Sequence, residues 1–96
     1  MQSSAHEPAV NVRIPGLLRS YTVGAETIDL PAHATLDDAV RDLDARFPGL
    51  RFRIIDEQGA IRPHIKMFVD GDLARRLDAP VRGASELMIV GALSGG

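Results

Sequence analysis

The 96-residue chain has the length of one domain, and its content of 45% hydrophobic and 25% charged residues is ordinary for a globular protein. A net charge of −2 argues against a nucleic-acid-binding protein, and no apolar stretch approaches the roughly 20 residues that span a bilayer. The absence of cysteine excludes disulfides, thiolate metal sites and a cysteine nucleophile. Residues 1–8 lack the basic start and apolar run of a signal peptide, so we expect a disordered leader and a cytoplasmic protein.

Two strands are predicted near the start of the chain. Residues 10–14 alternate between apolar and polar side chains, which places Val10, Val12 and Ile14 on one buried face. Residues 26–30 alternate in the same way, and Pro31 ends that strand because it cannot donate to a sheet. We expect these two strands to pair as an antiparallel hairpin with a long loop.

The strongest helix signal covers residues 35–47. Thr35 is a good N-cap, and the acidic residues that follow it favour the positive end of a helix dipole. Apolar residues recur at helical spacing to form one stripe, and Pro48-Gly49 ends the helix. The stripe consists of Leu36, Ala39, Val40, Leu43 and Phe47.

The second half of the chain contains both clear and ambiguous signals of secondary structure. Residues 50–61 could form a strand or a short helical turn, because short apolar runs do not distinguish the two. Residues 65–69 are predicted as a strand that ends at Asp70-Gly71, a strong tight-turn pair. Residues 73–81 are expected to be irregular. Residues 86–90, with an alternative extension to Ala92, are predicted as a strand that is buried by neighbours on both edges and partly on both faces.

This order of elements predicts an α+β protein. One helix cannot cover both faces of a sheet, so we expect the helix to pack on one side only. If the last strand lies beside the first, the two can run parallel, because the segment that contains the helix connects them.

The C-terminal end is the most informative feature. The chain closes with Ser94-Gly95-Gly96, and residues 91–96 could extend by roughly 20 Å. A carboxylate carried on two residues without side chains can enter a narrow active site that a larger tail would block. The alternative is chance, since two terminal glycines arise in roughly one chain in 200, and termini are often small and polar without a role.

The chain resembles the MoaD/ThiS family of ubiquitin-like sulfur carriers. The resemblance rests on the order of elements, on the helix exit Phe47-Pro48-Gly49-Leu50, on the segments 56–62 and 64–72, and on the terminal Gly95-Gly96. The middle segment is most similar to the branch that serves cysteine synthesis. The resemblance implies a β-grasp fold, in which a mixed sheet of four to five strands in residues 9–90 packs on one helix and residues 91–96 form a flexible tail.

The resemblance also implies a function. A partner adenylating enzyme would use ATP to convert the Gly96 carboxylate into an acyl-adenylate. A sulfur-donor enzyme would then convert this into a thiocarboxylate, and an acceptor enzyme would use its sulfur for biosynthesis of cysteine, molybdopterin, thiamine or a similar product. The chain itself would be a carried co-substrate rather than an enzyme, with no cofactor or metal of its own and no nucleic-acid or membrane partner.

Two other functions remain open at this point. A ubiquitin-like modifier would use the same activated Gly96 to form an isopeptide bond with a lysine. A β-grasp binding module would not use its terminal glycines at all.

Other polar residues offer weaker candidates. His6, His33 and His64 lack the spacing of metal ligands, and His64 is most simply a surface residue. Asp70 and Asp72 supply too few oxygen atoms for calcium, so a solvated turn is the better interpretation.

A partner surface can be predicted from the parity of the strand at 65–69. If Ile65, Met67 and Val69 face the helix, Phe68 points the other way and could contact the activating enzyme, as could Leu93 and Ser94 in the tail. The alternative is that Phe68 packs under residues 50–61. Arg13 could join the same surface, although a solvated charge is the simpler interpretation.

One difference from the family concerns the start of the tail. Family members often have a proline just after the last strand, where this chain has Gly91. We therefore expect a looser exit of the tail from the domain.

Overall fold

The computed structural model describes residues 9–91. The predicted leader (residues 1–8) and the tail residues 92–96 lie outside the described residues. Within residues 9–91, a 3-10 turn covers Gly16–Leu18, and the remaining elements follow in chain order. They are β1 (Val10–Arg13), β2 (Thr27–Leu30), α1 (Leu36–Arg46), α2 (Leu50–Ile54), β3 (Ile65–Val69), β4 (Asp72–Ala74) and β5 (Glu86–Gly91).

The five strands form one mixed sheet in the order β2-β1-β5-β3-β4. β1 pairs antiparallel with β2 and parallel with β5, whereas β3 is antiparallel to both β5 and β4. The predicted hairpin and the predicted parallel pair of first and last strands are both confirmed. The arrangement is the ubiquitin-like β-grasp fold that the family resemblance implied.

The main helix forms where the apolar stripe predicts it. Thr35 caps α1 through a reciprocal pair of hydrogen bonds with Asp38, so that each residue's side chain accepts from the other's backbone N–H. Leu36, Val40 and Leu43 are fully buried against the inner face of the sheet. Phe47 is the C-cap, and its N–H donates to the carbonyl of Leu43.

The ambiguous segment after α1 begins with a second, short helix. One carboxylate oxygen of Asp44 accepts hydrogen bonds from the backbone N–H groups of Gly49 and Arg51, at 3.1 and 3.0 Å. These bonds satisfy donors at the start of α2, so the helical alternative prevails over residues 50–54. The rest of the segment closes on itself through a bridge between Ile55 and Ile61.

The expectation of an irregular segment from residue 73 is wrong at its start, because β4 covers Asp72–Ala74. Asp70 and Gly71 have φ values of 48° and 88°, which suits the tight turn that joins β3 to β4. The rest of the segment passes the start of α1, where the carbonyls of Ala79 and Leu77 accept from the first helical N–H groups. These bonds complete the capping of the helix.

The last strand covers the predicted residues 86–90 and continues to Gly91. The sequence placed Gly91 in the tail, with an extension of the strand to Ala92 as the alternative, and the structure pairs Gly91 with Ile65 of β3. The backbone pairing between β3 and β5 therefore extends one residue beyond the apolar run, which ends at Val90. None of the helices within residues 9–91 is long and apolar enough to cross a membrane.

Candidate functional site

The sheet has one covered face and one open face. Side chains alternate along each strand, so that Val12, Met67, Leu87 and Ile89 are buried toward α1 and α2. Their neighbours point the opposite way, onto a face against which no described element packs its core residues. We call this second surface the outer face.

Phe68 lies at the centre of an apolar patch on the outer face. The strand register places Met88 of β5 on one side of it and Leu73 of β4 on the other. Val90, two residues beyond Met88, shares the same face, and both Leu73 and Val90 are 37% exposed. We call Phe68, Leu73, Met88 and Val90 the outer patch.

The position of Phe68 agrees with the parity argument. It is half-buried between neighbouring strands and does not pack against the core, whereas Met67 and Val69 do. The alternative, in which Phe68 packs under residues 50–61, therefore does not describe this structure. A contact between Phe68 and a partner enzyme remains a prediction.

Arg13 occupies the same row of the sheet. It is paired in register with Met88, and its guanidinium lies 3.6 Å from the carboxylate of Glu86. Arg13 therefore borders the outer patch, as the sequence allowed, but part of its charge is compensated within the chain. Because its side chain is 58% exposed, this ion pair contributes little to stability.

Three residues of the outer patch are not among the site residues that the sequence predicts. The continuous apolar run of β5 predicts a strand partly buried on both faces, yet Met88 and Val90 lie on the open face. Leu73 was placed in an irregular segment. The available signal was the apolar residue at every outward position of β5 after Glu86, which is unusual for a solvated face.

The exit of the chain from the sheet is held by local packing. A β-carbon added to Gly91 would overlap Cδ2 of Leu17 and lie 3.2 Å from its Cγ and 3.5 Å from Cδ1 of Ile65. A larger residue here would displace the tip of the Leu17 side chain, because Leu17 of the 3-10 turn covers Gly91. The expected loosening at Gly91 is therefore wrong for this residue, since it is both paired and covered.

The remaining predicted site residues cannot be placed. Leu93, Ser94, Gly95 and Gly96 lie outside the described residues, and so does His6. Gly91 is thus the last described residue before them.

The two described histidines lie in different surroundings. His33 Nε2 lies 2.8 Å from a carboxylate oxygen of Asp42, whose other oxygen accepts from Arg46 at 2.9 Å. The hydrogen bond from Arg46, with a smaller contribution from His33, lowers the pKa of Asp42 below its ordinary value of 3.8. His64 borders a surface cavity together with Leu17 and Tyr21.

Neither the histidines nor the acidic turn forms a metal site in the part of the chain that the structure describes, where no group of three potential ligands comes together. Asp70 instead organises the backbone. One of its carboxylate oxygens accepts from the N–H groups of Ser85 and Glu86, at 3.0 and 2.9 Å. This pair of bonds ties the β3–β4 turn to the start of β5.

A sequence model of the ThiS family matches residues 12–96, which includes the terminal glycines. The chain belongs to the ThiS family. The resemblance drawn from the helix exit, the middle segments and the diglycine is thereby confirmed. A comparison with curated protein sequences gave no match.

Solved structures share the fold of this ThiS-family chain. CysO of Amycolatopsis orientalis, in a crystal structure of a BexX/CysO complex, is 29% identical, with a TM-score of 0.79 over 92% of this chain and all of that one. CysO of Mycobacterium tuberculosis is 24% identical, with a TM-score of 0.78 over 88% of this chain and 99% of that one.

An archaeal protein extends the similarity. SAMP1 of Haloferax volcanii is 24% identical, with a TM-score of 0.76 over 92% of this chain and 99% of that one. At this level of identity the last two structures show the fold alone. The ThiS-family chain is therefore a ubiquitin-like β-grasp protein.

Proposed function

We propose that this ThiS-family protein is a sulfur carrier, loaded at its C-terminal Gly96 by a partner adenylating enzyme in the cytoplasm. The observation that carries the proposal is that the family match extends to residue 96 and so includes Gly95-Gly96. In the first step the Gly96 carboxylate attacks the α-phosphate of ATP, forming an acyl-adenylate and releasing pyrophosphate. In the second step a sulfide equivalent replaces AMP and leaves a thiocarboxylate.

Activation is required for a simple chemical reason. An α-carboxyl group has a pKa of roughly 3.5, so it is an anion at neutral pH and resists attack by sulfur nucleophiles. AMP is a good leaving group, and the acyl-adenylate therefore accepts sulfide. In this cycle the protein supplies the carboxylate, and the partner supplies ATP binding and acid–base chemistry.

A partner protein is also supported by the comparison with known structures. CysO of Amycolatopsis orientalis is 29% identical and was solved in a complex with BexX. We propose that this chain likewise binds partner enzymes, with the outer patch as a docking surface and Leu93 and Ser94 as contacts along the tail. Apolar and aromatic side chains at the centre of a surface are typical of such contacts.

The products of the pathway follow from the same reasoning. Because the middle segment is most similar to the cysteine branch, we propose cysteine biosynthesis as the first acceptor pathway to test. Molybdopterin, thiamine and other sulfur-containing products are the alternatives.

Intact-mass measurement tests the proposal. The protein is incubated with ATP, sulfide and the adenylating enzyme of the same organism. We expect a gain equal to the difference between a sulfur and an oxygen atom, and no gain without ATP. A variant that lacks Gly96 is the matched control, because it still ends in a glycine carboxylate; it should fold normally and gain no sulfur.

Two experiments in cells separate the alternative functions. Branched conjugates to lysine in cell extracts, without a sulfur gain, would favour the modifier function and reject the carrier. If removal of Gly95 and Gly96 leaves function in cells unchanged, the chain is a binding module and the proposal fails.

A further inference from the structure

A small cavity lies at one edge of the sheet, between the start of β3 and the end of β4. Its volume is about 160 Å³, and its walls combine apolar side chains, among them Ile61 and Ile65, with three basic residues. The basic residues are Arg62, Lys66 and Arg75. A cavity of roughly 150 Å³ holds a molecule the size of benzene, so one acidic side chain with its methylene groups would fit.

The positive charges of this cavity have no counter-charge in the described part of the chain. Arg62, Lys66 and Arg75 take part in none of the ion pairs formed among residues 9–91. Arg62 is held in place, because its Nε donates to the carbonyl of Phe52 at 2.7 Å and its guanidinium lies 4.6 Å from the centre of the Phe52 ring. Its cation is therefore positioned without being neutralised.

Several acidic residues lie at the end of the sheet away from the cavity, where Glu86 is paired with Arg13. Asp29 and Glu86 are both paired with Asn11 at one end, where Asp70 also lies beside Glu86. Lys66 and the cavity lie at the opposite end. Because the whole chain has a net charge of −2, this basic end is a local feature and does not reflect a generally basic protein.

The basic end is also the end from which the terminal segment continues. Lys66 is paired in register with Val90, and Ile65 with Gly91, the last residue of β5. The cavity therefore adjoins the point at which the chain runs on toward Gly96. This end of the sheet therefore holds the described residue that is nearest in sequence to the terminus.

We propose that the cavity formed by Arg62, Lys66 and Arg75 binds an acidic segment of the enzyme that activates Gly96, with an aspartate or glutamate side chain inserted between the three cations. This inference rests on the proposed function. A carboxylate side chain fits better than a free inorganic anion, because its methylene groups can pack on Ile61 and Ile65. The interaction orients the partner by attracting its acidic segment to this end of the sheet.

The binding of an acidic segment in the cavity is tested by the adenylation kinetics of two charge-reversal variants, Lys66→Glu and Arg75→Glu. The Michaelis constant for the carrier is measured by ATP–pyrophosphate exchange with the adenylating enzyme, together with direct calorimetric binding. We expect each reversal to raise KM and Kd about tenfold or more with kcat little changed, because like charges across an interface are strongly unfavourable. The effect should shrink at high salt.

Arg82→Glu is the matched control. It makes the same change of charge at an exposed turn before β5, outside the cavity, and should leave KM within about twofold of the parent value because isolated surface charges contribute little. If Lys66→Glu and Arg75→Glu behave like Arg82→Glu while the parent protein is activated, the cavity assignment is overturned and the carrier function stands. If the parent protein neither binds nor is activated, both are overturned.

Two other occupants of the cavity, a small anion and a second copy of the chain, are tested with the isolated protein. Saturable NMR shifts at residues 65–66 and 73–75 with phosphate or pyrophosphate, at constant ionic strength, would mark a site for small anions and overturn the assignment. A dimer in sedimentation that Lys66→Glu dissociates would mean that a second copy supplies the carboxylates, and would overturn it too. Neither effect is expected.

Discussion

Leu17, in the 3-10 turn, covers Gly91 at the end of the last strand, and a side chain at residue 91 would collide with it. The two residues lie far apart in the sequence, yet the contact places the 3-10 turn against the last described residue of the sheet. A residue without a β-carbon fits this position without moving the Leu17 side chain.

The first prediction follows from this contact. Gly91→Ala should lower the free energy of unfolding by about 1 kcal/mol, because Leu17 must leave its position to admit a methyl group. Urea denaturation of the single and double variants measures the effect. In a Leu17→Ala background the same substitution should cost less than about 0.5 kcal/mol. Equal costs in both backgrounds would show that the two residues do not interact.

The second prediction concerns the outer patch. Phe68→Ala should raise KM for the carrier in adenylation by about fivefold or more, because truncation of a central aromatic contact typically costs over 1 kcal/mol of binding. Stability should fall less than for Met67→Ala, which opens a cavity in the core and should cost about 2–5 kcal/mol. Val23→Ala is the control, since Val23 is 91% exposed and lies outside the patch. An unchanged KM for Phe68→Ala would remove Phe68 from the docking surface.

The third prediction concerns Asp70, whose carboxylate oxygen accepts two backbone hydrogen bonds while its φ is positive. Asp70→Ala should lower the free energy of unfolding by about 1–2 kcal/mol, because it removes both bonds and places alanine in an unfavourable backbone conformation. Asp70→Asn should be nearly neutral, since its amide oxygen can accept the same bonds and asparagine tolerates positive φ. A large loss for Asp70→Asn in urea denaturation would mean that the charge matters more than the bonds.

The fourth prediction is a pH dependence at Asp42. Its pKa is lowered in the folded state, first by the hydrogen bond from Arg46, so its contribution is present above the ordinary value of 3.8 and is lost as pH falls through the lower folded value. Asp42→Asn should therefore cost about 0.5–1 kcal/mol at pH 7, and the difference from the parent protein should shrink below pH 3.8. Urea denaturation at pH 7 and pH 3 measures this.

A matched variant makes the Asp42 result specific. Glu57→Gln removes a carboxylate from an exposed turn that has no ion pair among the described residues. It should change stability by less than about 0.5 kcal/mol at either pH. A cost of Asp42→Asn that stays constant between pH 7 and pH 3 would contradict the proposed ion pair.

Much of the fold was predictable because its signals are local. The alternation of Val10, Val12 and Ile14, and the stripe that begins at Leu36, are written in the periodicity of neighbouring residues. The parallel direction of the first and last strands, once they are neighbours, followed from the helix-containing segment that connects them. All of these predictions are confirmed.

The remainder depends on contacts between distant residues. The helical conformation of residues 50–54 is supported by the carboxylate of Asp44, and the segment around Ala79 is held by the first N–H groups of α1. The three-residue strand β4 is too short to show a period. Short segments of this kind take the conformation that their tertiary neighbours satisfy.

The candidate site divides in the same way. The outward direction of Phe68 could be predicted from the alternation of its strand, and the role of Gly95-Gly96 stays a prediction because both lie outside the described residues. The residues that surround Phe68 could not be predicted from the sequence, because Met88 and Leu73 become its neighbours only through the register of the strands. The position of the three basic residues around one cavity also depends on the fold, because they lie on different strands and turns. These residues are Arg62, Lys66 and Arg75.

The position of β5 in the sheet has a mechanical consequence. β1 and β3 flank it, so hydrogen bonds hold it along both edges. An enzyme that draws the terminus into a deep cleft would pull along the axis of this strand and load both ladders in shear. A force on the end of the chain is therefore shared by the hydrogen bonds on both sides of β5. These bonds must break together, whereas the bonds of an edge strand could break one at a time.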